Sequence, residues 1–372
     1  SSRCEYKEEY GKTKEHNAGG FIFLVTGLGI YIHIPFCLSK CAYCDFNSGP
    51  APDTACITRY VNALIAHMER YRAGAKLYEP NTVFIGGGTP TSIPMEELTR
   101  LVKAVKHNFR LTKNAEFSME ANPATVDYDG LRRLNRLGVN RISFGLQSAH
   151  DNELAALGRK HSRADFVRSY KMARSAGFAN INVDLMFGIP YQTMQSLLHT
   201  LRFVAGLGPE HISLYDLKIE PGTKFYQNYD EIRPLLPDED LEADMYLQAI
   251  EYLRQRGYYQ YEISNFARPG YESRHNLKYW RLQEYVAFGA GAHSYVAGLR
   301  YSYMSHVRGF ISGVLGDKSV GDESERIGQL DQAAEYIMLG MRTTMGICRR
   351  DYTNVYRSNF EPLEQVLEEF QR

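Results

Sequence analysis

Residues 31–46 read Tyr31-Ile32-His33-Ile34-Pro35-Phe36-Cys37-Leu38-Ser39-Lys40-Cys41-Ala42-Tyr43-Cys44-Asp45-Phe46. The stretch opens in an apolar, β-branched run (29–34) that reads as a strand and passes directly into a loop carrying three cysteines, spaced by four and then three positions. Such a loop can wrap one face of a cuboidal iron–sulfur cluster, for which thiolates are the usual ligands. Three thiolates on a 4Fe–4S cluster leave one iron open to a further chelator. A structural zinc site is the competing reading. It wants four closed ligands, usually as two separated pairs, and here there is one triplet with the nearest imidazole, His33, inside the strand.

The other cysteines, Cys4, Cys56 and Cys348, are scattered, so no disulfide framework is expected. A triplet of this kind fits a metal site in a reducing cytoplasm. Lys+Arg and Asp+Glu number 43 each among 372 residues. The absence of net charge argues against nucleic acid as the main partner. The apolar segment 21–36 is interrupted by glycines and His33 and is shorter than the roughly 20 residues of a membrane span. Residues 1–16 carry as many acids as bases, unlike the start of a signal peptide. With 44% hydrophobic residues the chain can bury a large core, and its length predicts one large unit and one smaller.

Outward from the cysteine loop the pattern alternates. Apolar runs at 29–34, 82–85, 116–120, 141–144, 180–185 and 211–215 read as strands. Segments 54–71, 95–108, 127–137, 163–176 and 193–204 have helical spacing. That rhythm predicts parallel strands joined by βα units, an incomplete version of an eight-stranded barrel. After about 221 it changes: a helix at 238–256, aromatic-rich short strands and loops over 258–303, then helical pattern at 330–342 and 363–370. A boundary is expected within 216–237.

Each predicted strand ends in unusual chemistry. The second runs into Gly86-Gly87-Gly88-Thr89-Pro90-Thr91, where missing side chains let a ligand approach backbone N–H groups. The third ends at Glu120 before Ala121-Asn122-Pro123, the fourth at Gly145-Leu146-Gln147-Ser148, the fifth carries Asp184, and the sixth ends at Tyr215. Taken singly each has a plainer reading: a tight turn for the glycines, caps or solvated acids for Glu120 and Asp184, nothing for Gln147. Parallel α/β barrels gather their chemistry at the carboxyl ends of the strands, and all of these residues fall there together.

The chain resembles the radical S-adenosylmethionine (SAM) family of oxygen-independent coproporphyrinogen oxidase (HemN) and HemW, a proposed heme chaperone. The resemblance runs from about residue 29 to at least 342. It rests on YIHIPFC, CxxxCxYCDF, GGGTPT, EANP, NRISFGLQS, LGRKHS, NVDLMFGIP, HISLYDLKIEPGT, YEISNFARPG, HNLKYW and GAGAHSY. It implies a partial (β/α)6 TIM-like barrel over 28–220, a smaller α+β HemN-type domain over 221–372, and a loosely ordered extension over 1–27. It implies a 4Fe–4S cluster on Cys37, Cys41 and Cys44. SAM would touch Tyr31, Tyr43, Gly87, Gly88, Thr89, Glu120, Gln147, Arg159, Asp184 and Leu217, with Glu120 meeting the ammonium, Arg159 the carboxylate and Asp184 the ribose or amine. An electron passed from the cluster would cleave SAM and release a 5′-deoxyadenosyl radical. Residues 363–372 fall where the family continues, so the second domain is expected to be truncated.

Two features point to the HemW branch. The oxidase resembles this loop but has a further cysteine two positions past the third ligand, where this chain has Phe46. His275-Asn276-Leu277-Lys278-Tyr279-Trp280 fits the HNxxYW pattern of HemW-like proteins. A neutral imidazole is a common heme ligand, which makes His275 a candidate heme contact; a structural role in an aromatic cluster is the alternative. The branch implies heme as a third cofactor. Its expected partners are heme or another porphyrin, a heme-acceptor protein and a reductant such as flavodoxin or ferredoxin, with any membrane contact transient. The competing function is that of the oxidase, a radical SAM oxidative decarboxylation, or of another radical SAM tetrapyrrole enzyme.

Overall fold

The computed structural model describes residues 15–18, 21–24, 27–75 and 78–361, with residues 364, 366 and 369. Strands β1 (Glu15–Ala18) and β2 (Phe21–Leu24) pair antiparallel as a sheet of their own. Of the extension expected to be loosely ordered over 1–27, residues 1–14, 19–20 and 25–26 lie outside the described residues, as does most of the helix expected at 363–370.

The six predicted barrel strands are all present: β3 (Gly29–Ile34), β4 (Thr82–Gly87), β5 (Glu116–Ala121), β6 (Arg141–Gln147), β7 (Ile181–Phe187) and β8 (His211–Asp216). They are parallel and adjacent in sequence order. Helices Thr54–Ala75, Met95–Asn108, Tyr128–Arg136, Arg163–Ser175 and Met194–Leu207 form the crossovers. Their starts are written in side chains. Asp127 accepts from Gly130 N, and Ser162 with Asp165 and Thr193 with Ser196 close capping boxes.

Strand alternation sorts the side chains between two faces. One face is apolar and packs against the helices: Phe117, Met119, Ile142, Phe144, Ile181, Val183, Ile212 and Leu214 are all buried. The opposite face is polar. Asn182 Nδ2 donates to Ser143 Oγ (2.7 Å) and Ser213 Oγ (3.1 Å), and His211 joins Asn182 Oδ1 (2.6 Å) to the Tyr261 hydroxyl (2.8 Å). Such groups survive burial because they are hydrogen-bonded to one another.

The segment after 221 adds strands to both edges of this sheet. β9 (Tyr259–Glu262) and β10 (Asn265–Ala267) extend it beyond β8, antiparallel. At the other edge β11 (Tyr285–Phe288) pairs parallel with β3. It is followed by antiparallel β12 (His293–Val296), β13 (Leu299–Tyr303) and β14 (Gly321–Arg326). The result is one sheet of twelve strands whose central seven are parallel. β11 is missing from the sequence expectation because it is only four residues long and no βα rhythm announces it. No helix among the described residues is long and apolar enough to cross a membrane.

Candidate functional site

The carboxyl ends of β3–β8 open onto the cysteine loop. That loop is fixed at its base: Cys37 N donates to Gly49 O (3.0 Å) and Gly49 N to Pro35 O (3.0 Å). It is fixed at its crest, where Ala42 N donates to Leu157 O (3.0 Å) and Phe225 N to Ala42 O (3.0 Å). The three thiols are half-buried and none is in a disulfide. Burial pushes the Cys44 thiol up despite hydrogen bonds from the Phe46 backbone and Ser48.

A polar chain joins the thiols to the rim. Cys37 Sγ lies 3.5 Å from Thr89 Oγ1, Asn122 Nδ2 donates to that hydroxyl (2.7 Å), and Asn122 Oδ1 accepts from Arg159 Nη2 (2.6 Å). Arg159 Nη2 also donates to Gly145 O (2.5 Å), and its Nη1 to Cys41 Sγ (3.5 Å). Most of the guanidinium's donors are thus committed to the loop and to β6, so here Arg159 holds the cysteine loop to the barrel. Asn122 is the functional residue that the sequence reading quoted, within EANP, but assigned no role. Nothing local distinguishes it, and only the fold places it between Thr89 and Arg159.

The glycine turn fits closely against this loop. A Cβ on Gly88 would stand 2.6 Å from the Phe36 carbonyl oxygen and 3.0 Å from Cys37 Sγ. Gly87 has φ +112°, and its N–H donates to Glu120 Oε2 (3.0 Å). Burial, with Asp184 beside it, pushes the Glu120 carboxyl up to about 8. Asp184 accepts from Ser143 Oγ (2.8 Å) and Asn182 Nδ2 (2.7 Å). Gln147 sits at φ +71° beside a register shift between β6 and β7, a strained backbone for a residue with a Cβ. Leu217 lies apart from these polar groups, in a small apolar cluster with Leu157, Met186, Ile189 and Phe225; Tyr43 packs against that cluster and is hydrogen-bonded to Arg159. All the predicted SAM contacts therefore sit on strands β3–β8 or the loops that follow them, one set polar and one apolar.

Tyr31 lies on β3, and its hydroxyl meets His33 Nδ1 at 3.0 Å. It lines a cavity of about 370 Å³ together with Glu120, Gly87, Phe46, Tyr279 and His293. His275 is not on that wall. It is 1% exposed and lies against both Phe84 (ring centroids 5.3 Å) and Tyr31 (6.4 Å), which also contact each other (6.2 Å). Its Nδ1 meets Thr82 Oγ1 (2.9 Å) and its Nε2 the Tyr279 hydroxyl (2.9 Å). Burial pushes its pKa down to about 3. This is the aromatic-cluster arrangement that the sequence offered beside a heme contact, and both ring nitrogens are engaged.

The donor set suits an iron–sulfur cluster better than a single ion. Among the described residues, no group of three or more His, Cys, Asp or Glu side chains converges on one metal position, so no closed zinc shell forms. A cuboidal cluster needs its ligand sulfurs further apart than one ion does. Here Thr89 and Arg159 approach Cys37 and Cys41, and Gly88 leaves the space beside Cys37 open.

Residues 31–204 match the radical SAM superfamily. The heme chaperone HemW of Bacillus subtilis (strain 168) is 38% identical over 336 residues, which is 90% of this chain and 88% of that protein. The heme chaperone HemW of Escherichia coli (strain K12) is 41% identical over 291 residues, 77% of this chain and 76% of that one. The coproporphyrinogen III oxidase HemN from Escherichia coli, a radical SAM enzyme, shares the fold with a TM-score of 0.80 at 23% identity, over 91% of this chain and 80% of its own. With the cysteine loop, the glycine turn and the polar rim in place on that fold, the chain belongs to the HemW family of radical SAM proteins.

Proposed function

We propose that this protein is a heme chaperone: it binds heme beside a SAM-binding 4Fe–4S cluster and passes the heme to an acceptor protein. The observation that carries the reading is the likeness to HemW proteins along nearly the whole chain. Cys37, Cys41 and Cys44 would hold the cluster. Glu120, Asp184, Gly87, Gly88 and Thr89 would bind the polar end of SAM, and Tyr43 and Leu217 its apolar ring. Gln147 and Tyr31 complete the wall, and Arg159 keeps the cysteine loop on the rim. When bound, the cluster supplies single electrons to SAM.

The chain's own residues set three conditions. Glu120 holds a proton near neutral pH, and a SAM ammonium at Glu120 would favour the carboxylate and displace that proton. The apolar cluster around Tyr43 excludes water from one side of the site. Phe46, 61% exposed beside the cavity, offers a flat apolar face where a thiol would offer chemistry. The reductant would be a flavodoxin or ferredoxin and the compartment the cytoplasm, in keeping with the unpaired thiols.

The competing oxidase reading uses the same polar groups around Glu120 and Asp184, because both readings bind SAM there. The two readings separate in one experiment. The protein, reconstituted anaerobically with iron and sulfide, is titrated with heme and then offered coproporphyrinogen, SAM and a reductant. Stoichiometric heme binding without vinyl product is expected. Vinyl product without stable heme binding would overturn the chaperone reading.

A further inference from the structure

The polar face of the sheet holds a buried cation that no described residue answers. Arg141, the first residue of β6, is 2% exposed and lies on the face opposite Ile142 and Phe144, which pack against the helices. Among the described residues its guanidinium makes no hydrogen bond and no ion pair, and its Nε is sealed off without a partner. A guanidinium cannot give up its proton. Burial therefore cannot neutralise Arg141, and a buried charge left uncompensated is strongly destabilising.

The groups that feel this charge do not meet it. Burial first, with Arg141 adding to it, pushes the His211 pKa well down and that of His275 to about 3, so both rings are neutral. Burial also pushes the Tyr261 hydroxyl well up and keeps Glu120 protonated at neutral pH. The nearby carboxylates are engaged elsewhere. Glu116 accepts from the backbone N–H groups of Arg274 and His275 (3.0 Å each), Asp184 from Ser143 Oγ (2.8 Å) and Asn182 Nδ2 (2.7 Å), and Glu262 from Ser264 N (3.2 Å) and Asn265 Nδ2.

A second unpaired group stands on the next strand. Ser118 of β5 is in register with Arg141 of β6, and its hydroxyl is buried with no partner. Adjacent strands are about 5 Å apart, so an unpaired hydroxyl and an unpaired guanidinium stand side by side. Missing partners are not general on this face, since Asn182 engages both Ser143 and Ser213. A guanidinium fork beside a hydroxyl is a set of donors that suits an anion.

We propose that Arg141 and Ser118 form an anion-binding site near the amino-terminal ends of the parallel strands, taking a compact monovalent anion of halide or formate size. The tight burial of Arg141 sets that size. The site is separate from the cavity that Glu120 lines, whose wall does not include Arg141. Glu120 follows Ser118 by two residues on the same face of β5, so the anion lies about 7 Å along the strand from that level. There it offsets the Arg141 charge that works against the Glu120 proton. The assignment needs neither heme nor SAM, and stands or falls apart from the chaperone reading.

The test uses the full chain, reconstituted anaerobically with its cluster. It is unfolded in urea at constant ionic strength in bromide, in formate or in gluconate, an anion too bulky for so buried a site. Crystals grown in bromide are examined by anomalous diffraction. An anomalous peak beside the Arg141 guanidinium and the Ser118 hydroxyl is expected. Bromide or formate should stabilise the protein relative to gluconate with a saturable dependence, about hundredfold in the unfolding equilibrium at a hundred times the dissociation constant. Ser118→Ala, which removes only a hydroxyl, should weaken that anion's affinity by about tenfold. Arg141→Gln should abolish the anion-specific stabilisation in whatever fraction folds. Bromide crystals without a peak at Arg141 would overturn the proposal. So would a peak with no saturable stabilisation in solution, or a stabilisation that Ser118→Ala and Arg141→Gln leave unchanged.

Discussion

Replacing Glu120 by Gln should make the SAM-free protein more stable above neutral pH, and the size of the gain follows from where Glu120 sits. Its carboxyl rises from an ordinary 4.5 to about 8, first through burial and then through Asp184, against the opposing effects of the Gly87 N–H and Arg141. Below pH 4.5 the folded and unfolded chains both hold the proton. Between 4.5 and 8 the folded chain keeps a proton that the unfolded chain releases, so stability falls as pH rises, and above 8 the loss is complete. The gap of about 3.5 pH units corresponds, at about 1.4 kcal/mol per unit, to a ceiling of about 5 kcal/mol. Water entering the cavity screens the charge, and about 2 to 3 kcal/mol is the expected size. Glutamine keeps the shape and can still accept from the Gly87 N–H without ever ionising. Urea unfolding of both proteins from pH 5 to 9 should give curves that coincide near pH 5 and diverge towards pH 8, with the variant higher. Parallel curves across that range would refute the account of Glu120 as a proton-holding acid.

Three further outcomes follow from the geometry. Asn122→Ala breaks the link from Thr89 to Arg159, a hydrogen bond to a charged group worth about 1.5 to 3 kcal/mol; the reconstituted cluster should bleach faster under a chelator, and an unchanged bleaching rate would remove Asn122 from the loop's support. Gly88→Ala puts a methyl group against the Phe36 carbonyl and Cys37 Sγ, so iron content after reconstitution should fall sharply while circular dichroism stays that of the folded chain. His275→Ala leaves the Thr82 and Tyr279 hydroxyls unpaired in a cavity and should cost about 2 to 5 kcal/mol in urea unfolding, from lost packing and lost hydrogen bonds together; a cost under about 1 kcal/mol would mean that His275 is not the structural residue its contacts describe.

Much of this protein is legible one residue after another. The alternation of β-branched runs with helical spacing fixed six parallel strands, because period-2 and period-3.6 patterns are local properties of the chain. The cysteine triplet was equally plain, since a metal loop carries its ligands close together in sequence. The strand-end residues, Glu120, Gln147 and Asp184 among them, could be placed on one rim because parallel strands share a direction. Tertiary structure decided what depends on distant parts of the chain meeting. β11 joined the parallel set only by pairing with β3, more than 250 positions away in sequence. Arg159, expected at the SAM carboxylate, also ties Cys41 to Asn122, because three separate strand ends converge on its guanidinium. The two histidines of HNLKYW and GAGAHSY look equally available as letters. Burial against Phe84, Thr82 and Tyr279 commits His275, while His293 stands exposed on the cavity wall. Availability is a property of surroundings, and surroundings are assembled only in the fold.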